Sequence, residues 1–177
     1  KFRRNSFLPK TVGFAFPGQG SQYTGMLAEH FSALKEFNTT FDISKEVTGI
    51  DFKQLIQDGS TEDLSATQIT QPLMLTANHA LWQAADIPVR DISLMAGHSL
   101  GEYSAYVAAE TLHFEEALEL VTLRAKFMQE AVREGEGGIA AILGLAQEVL
   151  RPICDDISEK GDLVSMANLN SDNQIVI

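Results

Sequence analysis

Short apolar runs alternate with amphipathic stretches through most of the chain. The run "VGFAF" from Val12 predicts a buried strand that ends at Pro17, where the glycine-rich "PGQGSQ" begins. A helical pattern follows over about 25–37. The run "ISLMAG" predicts a second buried strand, "EYSAYVAA" a helix of small residues, and "FEEALELVTLRAKFMQEAV" a long amphipathic helix. Buried strands that alternate with helices indicate an α/β fold with a parallel sheet covered on both faces.

One more helix is predicted between the two strands, over "QPLMLTANHALWQAAD". Pro72 suits the start of this helix, because a proline at the first helical position loses no hydrogen bond. The apolar residues that share one face of the helix are Leu73, Ala77, Ala80, Leu81 and Ala84.

The pattern changes after "REGEGG". A strand "IAAILGL", a helix "AQEVLRPICDDISEK" interrupted near Pro152, and strands "LVSMANL" and "QIVI" follow. This β-α-β-β run is most of a split βαβ unit, without its second helix and last strand. We therefore expect a tail at 1–11, the first portion of an α/β subdomain at 12–134, and an incomplete smaller subdomain at 135–177, in a chain that looks cut at Ile177.

Composition and charge narrow the function classes. The formal net charge of -11 argues against a nucleic-acid-binding protein, since nothing offsets repulsion by phosphates. No run approaches the roughly 20 apolar residues of a membrane span, and no signal peptide follows the basic first residues. A single cysteine, Cys154, forms no internal disulfide and fits a reducing compartment. These features predict a cytoplasmic protein that binds neither nucleic acid nor membrane.

The most informative motif is "GHSLG", a G-x-S-x-G pattern with Ser99 at its centre. A strand before this motif and a small-residue helix after it are typical of a nucleophile elbow, where the helix N-terminus favours developing negative charge. A serine that merely caps the helix is the alternative. The backbone N–H of Leu100 would supply one oxyanion donor, and the loop "FPGQGSQ" a second at Gln19. That loop could instead be a plain turn; it lacks the ending of a nucleotide P-loop.

Arg124 is the second candidate, on the long helix. At about 100° per residue, one face carries Glu115, Glu119, Thr122, Lys126 and Glu130, and the opposite face carries Ala117, Leu120, Val121, Phe127 and Met128. Arg124 falls in the middle of the apolar face, where a guanidinium is costly unless an anion meets it. The anion would be either a buried Asp or Glu of the protein or a carboxylate on a substrate.

No histidine of the chain suits the general base that a catalytic serine requires. His98 adjoins Ser99, where neighbouring side chains diverge, and His113 lies roughly 15 to 20 Å away at ~1.5 Å per residue. His79 and His30 are interpreted as solvated or packing residues. The base is therefore expected beyond Ile177.

In four motifs the chain resembles the malonyl-CoA:acyl carrier protein transacylases of bacterial type II fatty-acid synthesis. These motifs are "FPGQGSQ" at 16–22, "TQPLMLTANHAL" at 70–81, "GHSLGEYSA" at 97–105 and "LRAKFMQEAV" at 123–132. The resemblance covers the N-terminal part of the family's length. It implies a hydrolase-like α/β subdomain with an inserted ferredoxin-like one, Ser99 as nucleophile, Gln19 and Leu100 at the oxyanion hole, and Arg124 on the malonyl carboxylate.

The implied reaction moves malonate from coenzyme A to the phosphopantetheine thiol of acyl carrier protein through a malonyl-serine ester, by a monomer without metal or redox cofactor. The resemblance places the family's catalytic histidine after the insert, so the 177-residue chain is expected to be poorly active or inactive. The alternatives are a serine esterase or thioesterase, an acyltransferase domain of a polyketide synthase, and a non-catalytic remnant. The presence of Ser99 argues against the non-catalytic remnant. Arg124 in the apolar stripe argues against the esterase or thioesterase, because a hydrolase would not need it.

Overall fold

The computed structural model describes residues 12–133 and 135–177, without the side chain of Glu36. The predicted tail at 1–11 lies outside the described residues. The chain divides into two compact units, of which the first ends at Ala131 and the second spans Val132–Ile177. The elements of the first unit are β1 Val12–Phe16, α1 Ala28–Ala33, α2 Lys35–Thr48, α3 Phe52–Asp58, α4 Thr61–Ser65, α5 Thr67–Ala85, β2 Ile92–Gly97, α6 Gly101–Ala108 and α7 Phe114–Glu130.

The two strands of the first unit pair in parallel, as predicted. Phe16 is in register with Gly97, so the loops that leave the two strands begin side by side. One face of the pair packs on Trp82, Ala105 and Ala108. The other face is open among the described residues, and Leu94 on it is 65% exposed. The predicted covering of both faces is therefore seen on one face only.

Helix α5 is the central element of the first unit and packs against α2, α6 and α7. It is buried on almost every side from Thr70 to Asn78. The predicted start at Pro72 was wrong, because the helix begins at Thr67 and Pro72 lies inside it. The carbonyl of Ala66 accepts the N–H groups of Ile69 and Thr70, which closes the first turn ahead of the proline.

The single helix predicted over 25–37 was also wrong. Leu34 is extended, with φ -129°, and separates α1 from α2. The Asn38 side-chain amide donates to the carbonyls of Phe31 and Leu34, so it satisfies the end of α1 and fixes the break. Two short helices follow that the periodicity did not predict, each with a side-chain N-cap, Asp51 on α3 and Ser60 on α4.

The second unit contains β3 Ala141–Leu143, α8 Gln147–Glu159, β4 Asn168–Ser171 and β5 Gln174–Val176. This is the predicted β-α-β-β order, and the strands form an antiparallel sheet in the order β3-β5-β4. Leu150, Cys154 and Ile175 make its core. The predicted interruption near Pro152 is absent, since α8 runs through the proline. Across the described part of the chain, no helix is both long and apolar enough to cross a bilayer.

Candidate active site

The turn between β2 and α6 is built on two glycines that admit no side chain. A Cβ placed on Gly97 would lie 1.9 Å from the carbonyl carbon of Gly101. A Cβ on Gly101 would lie 2.1 Å from the carbonyl oxygen of Phe16. The two glycines therefore allow the strand end, the turn and β1 to meet backbone to backbone, as the G-x-S-x-G pattern predicted.

Ser99 stands exposed at the tip of this turn with φ 52°, in the left-handed region that serine rarely adopts. Helix α6 begins after it: Leu100 is the N-cap residue, and no side chain caps the helix. The alternative of a helix-capping serine is therefore wrong. A strained, exposed serine at the start of a helix is the geometry expected of a nucleophile elbow.

Arg124 reaches this serine from α7. Its Nη2 donates to Ser99 Oγ at 3.0 Å, and its Nη1 donates to Gln71 Oε1. The Tyr103 ring lies 6.0 Å from the guanidinium carbon. Among the described residues, no carboxylate lies within ion-pair distance of Arg124. The alternative of a structural ion pair therefore has no partner there, and the guanidinium is held by neutral groups.

The surroundings of Arg124 differ in part from the predicted apolar face. Arg124 is half-buried, beside the buried Val121 and Ala125 of the same helix. Leu120, Phe127 and Met128, which were predicted on the buried face, are exposed. The covered stripe is narrower than the periodicity suggests, and Arg124 lies at its margin.

Gln71 is a site residue that sequence reasoning missed. It lies fully buried on α5, accepts from Arg124, and donates from Nε2 to Met128 Sδ at 3.2 Å. Because Nε2 bonds to the sulfur, Oε1 is turned towards the guanidinium. A buried polar residue in the first half of α5 was the available signal.

The loop after β1 lies against the elbow. A Cβ on Gly18 would lie 2.6 Å from the carbonyl oxygen of His98, so loop and turn are in close contact. Gln19 is exposed, and its side chain donates to Thr67 Oγ1 at 3.2 Å. Within the described residues, neither the Gln19 N–H nor the Leu100 N–H donates a hydrogen bond. Two free amides therefore flank the serine turn.

Two of the histidines pack within the core of the first unit. The His79 ring stacks on Phe114 at 4.3 Å, and burial lowers the pKa of His79 to about 4, opposed weakly by the Glu115 charge. The His30 ring lies 5.4 Å from Phe37. Each has a buried Nδ1 without a hydrogen-bond partner. These two partly buried residues therefore pack against aromatic rings.

Comparison with known proteins decides the family. The sequence model of the acyl transferase domain family matches residues 13–177 of the chain. The chain belongs to the acyl transferase domain family.

Members of this family that resemble the chain include the malonyl CoA-acyl carrier protein transacylase of Salmonella typhimurium, which is 47% identical over 169 residues, 93% of this chain and 53% of the relative. The Bacillus subtilis transacylase is 43% identical and covers 94% of the chain. The chain spans about half the length of the relatives it matches.

Solved structures agree with this assignment. The transacylase of Coxiella burnetii superposes with a TM-score of 0.87 at 45% identity, over 95% of this chain and 53% of that one. A malonyl-transacylase in complex with a type II polyketide synthase acyl-carrier protein has a TM-score of 0.85 at 44% identity, over 93% of this chain and 53% of that one. The acyltransferase fold of these proteins is thus the fold of this chain over the matched part.

Proposed function

We propose that this chain is the N-terminal part of a malonyl-CoA:acyl carrier protein S-malonyltransferase. The observation that carries the proposal is the guanidinium of Arg124, which is held by the neutral Gln71 with Nη2 3.0 Å from Ser99 Oγ. A malonyl thioester has its carboxylate one methylene away from the carbonyl that the serine attacks. A cation in contact with the nucleophile is thus within reach of that carboxylate, and its charge is not spent on a protein carboxylate.

In the proposed reaction, Ser99 Oγ attacks the thioester carbonyl as a histidine beyond Ile177 takes its proton. The N–H groups of Gln19 and Leu100 stabilise the oxyanion. Collapse of the tetrahedral intermediate breaks the C–S bond, and coenzyme A leaves as a thiol with the proton from the histidine. The phosphopantetheine thiol of acyl carrier protein then attacks the malonyl-Ser99 ester by the same steps, which frees the serine.

The proposal needs no metal and no redox cofactor, because the thioester supplies the activated acyl group and the carrier supplies the acceptor thiol. We propose a cytoplasmic monomer whose hydrolase-like subdomain is interrupted by a ferredoxin-like insert beginning near 135. The similarity to malonyl CoA-acyl carrier protein transacylases supports the use of a thioester and a carrier protein. Since the base is assigned beyond Ile177, the 177-residue chain by itself is proposed to be poorly active.

A second candidate is transfer to a polyketide carrier. It is motivated by the similarity to the malonyl-transacylase bound to a type II polyketide synthase acyl-carrier protein. The chemistry at Ser99 is the same in both cases, so the two candidates differ only in the second half-reaction. Rates of transfer from the malonyl-enzyme to each kind of carrier separate them.

The test is to incubate the protein, expressed at its full encoded length, with labelled malonyl-CoA and to map the adduct by mass spectrometry. We expect one malonyl group on Ser99. Ser99→Ala should remove the label, whereas Ser93→Ala, which changes an exposed serine of β2, should retain it. Stable label on any other residue, or none on the wild type, would contradict the proposal.

A further inference from the structure

Three polar side chains form a stripe along α5. Thr67, Gln71 and Asn78 fall within about 40° of one another around the helix axis, at about 100° per residue. Each contacts a different part of the site: Thr67 bonds the Gln19 side chain, Gln71 bonds Arg124, and Asn78 bonds the carbonyl of Pro17. Helix α5 thus contacts three parts of the site. Asn78 is the residue of the stripe that bonds to a backbone group.

Asn78 links the two segments that carry the oxyanion donors. It is 4% exposed, and its Nδ2 donates to the Pro17 carbonyl at 3.1 Å and to Ser104 Oγ at 3.0 Å. Pro17 precedes Gly18 and Gln19, and Ser104 lies on the helix that follows Ser99. One amide group therefore joins the loop after β1, through a part-buried hydrogen bond, to the elbow helix, through a buried one.

The loop has few other fixed points. Pro17 has no N–H, and the Gly20 N–H bonds to the Gln22 side chain of the same loop. The hydrogen bond from Gln19 to Thr67 is exposed, where water competes with it. Gly18 packs against the His98 carbonyl, but contact alone does not keep the loop from lifting. The hydrogen bond to Asn78, which is less exposed than that of Gln19, is thus the stronger of the two tethers between the loop and α5.

We infer that Asn78 is a positioning residue: by holding the Pro17 carbonyl, it keeps the Gln19 N–H aimed, together with the Leu100 N–H, at the oxyanion formed on Ser99. This inference rests on the proposed function. An oxyanion donor acts mainly on the transition state, and displacement by about 1 Å is enough to lose a large part of its effect. Loss of Asn78 should therefore lower kcat and change KM little.

The kinetic test compares Asn78→Ala with Thr76→Val in the protein at its full encoded length. Thr76 is also fully buried on α5, and its hydroxyl bonds Ser44, remote from the loop. We expect Asn78→Ala to lower kcat for malonyl transfer by about ten- to a hundredfold, with KM within about threefold. Thr76→Val should lower Tm and leave kcat within about twofold, at a temperature where both variants are folded. Asn78→Asp, which leaves no cavity and lacks the donor, should repeat the loss.

NMR order parameters of the backbone N–H groups separate this inference from the proposed function. The order parameters of Gly18, Gln19 and Gly20 should fall in both Asn78 variants and stay as in the wild type in Thr76→Val, whether or not the protein transfers malonate. A wild type without transferase activity but with this pattern of order parameters would overturn the proposed function alone. An Asn78 variant that keeps wild-type kcat, or wild-type order parameters in the loop, would overturn the role of Asn78.

Discussion

Arg124 shows at the scale of one residue how a charge can be placed without being neutralised. Gln71 and Ser99 give its guanidinium two hydrogen bonds, and neither partner carries a formal charge. A protein carboxylate in their place would compete with a substrate carboxylate for the same N–H groups. Neutral partners hold the guanidinium in position, so that its positive charge stays available to an anionic ligand.

We expect Arg124→Ala to lose malonyl transfer while keeping some acetyl transfer, since an acetyl group has no carboxylate to leave unpaired. Removal of one member of a buried charged pair costs ~3 to 5 kcal/mol. At ~1.4 kcal/mol per factor of ten, the malonyl-to-acetyl preference should fall about a hundredfold or more. The measurement is kcat/KM for both thioesters, in the protein at its full encoded length.

The matched control for this substitution is Lys126→Ala on the same helix. It removes the same charge from an exposed side chain that pairs with Glu130 at 3.9 Å. The control should keep the wild-type preference. A folded Arg124→Ala protein with an unchanged malonyl-to-acetyl ratio would exclude Arg124 from the substrate site.

At the scale of elements, the site depends on how closely β1, β2 and α6 approach at one end of the strand pair. Gly97 ends β2, and Gly101 begins α6 against the carbonyl of Phe16. The left-handed conformation of Ser99 is kept because the packed backbones on both sides leave the turn no other path. The strain at the serine is thus a property of three elements together.

Gly97→Ala should destabilise the protein severely, because its Cβ would lie 1.9 Å from the Gly101 backbone. Overpacking a rigid site costs about 3 kcal/mol or more. Gly13→Ala is the control, since a Cβ there meets nothing closer than the Leu94 carbonyl at 3.9 Å. Urea unfolding of both variants checks this, and equal midpoints would contradict the described turn.

At the scale of the whole molecule, His79 makes folding depend on pH. Its ring is stacked on Phe114 in the core, where burial lowers its pKa to about 4 from an ordinary 6.5. As pH falls from 6.5 to 4, the unfolded chain takes up a proton that the folded chain does not. The free energy of unfolding must therefore decrease over this window.

We expect this decrease to reach about 3 kcal/mol below pH 4, since one pKa unit is worth about 1.4 kcal/mol. His79→Leu should remove this part of the slope between pH 6.5 and 4. The Asp51 and Asp63 carboxyls, whose pKa values are lowered by hydrogen bonds from Lys45 and from the Ser60 backbone N–H, lose their contribution at still lower pH. Urea unfolding at several pH values measures the slope, and an identical slope in His79→Leu would contradict the buried neutral imidazole.

The sequence by itself determined the features that depend on local order along the chain. The strand before "GHSLG", the tight glycine turn, the α/β class and the order of elements after 135 all follow from apolar runs and turn residues that are neighbours in sequence. Ser99, Gln19, Leu100 and Arg124 could be proposed because a motif or a misplaced charge marks each position without knowledge of its neighbours in space.

Only the tertiary structure decided which distant residues meet. Gln71 and Asn78 look like ordinary polar residues of an apolar helix until α5 is packed beneath the loop and beside α7, because their partners lie far away in sequence. The break at Leu34 and the helical Pro72 rest instead on local hydrogen bonds, from Asn38 to the end of α1 and from Ile69 and Thr70 to Ala66, which hydrophobic periodicity does not report. Periodicity reports which face of a helix is apolar, but a contact between helices depends on the relative placement of both, which no single stretch of sequence encodes.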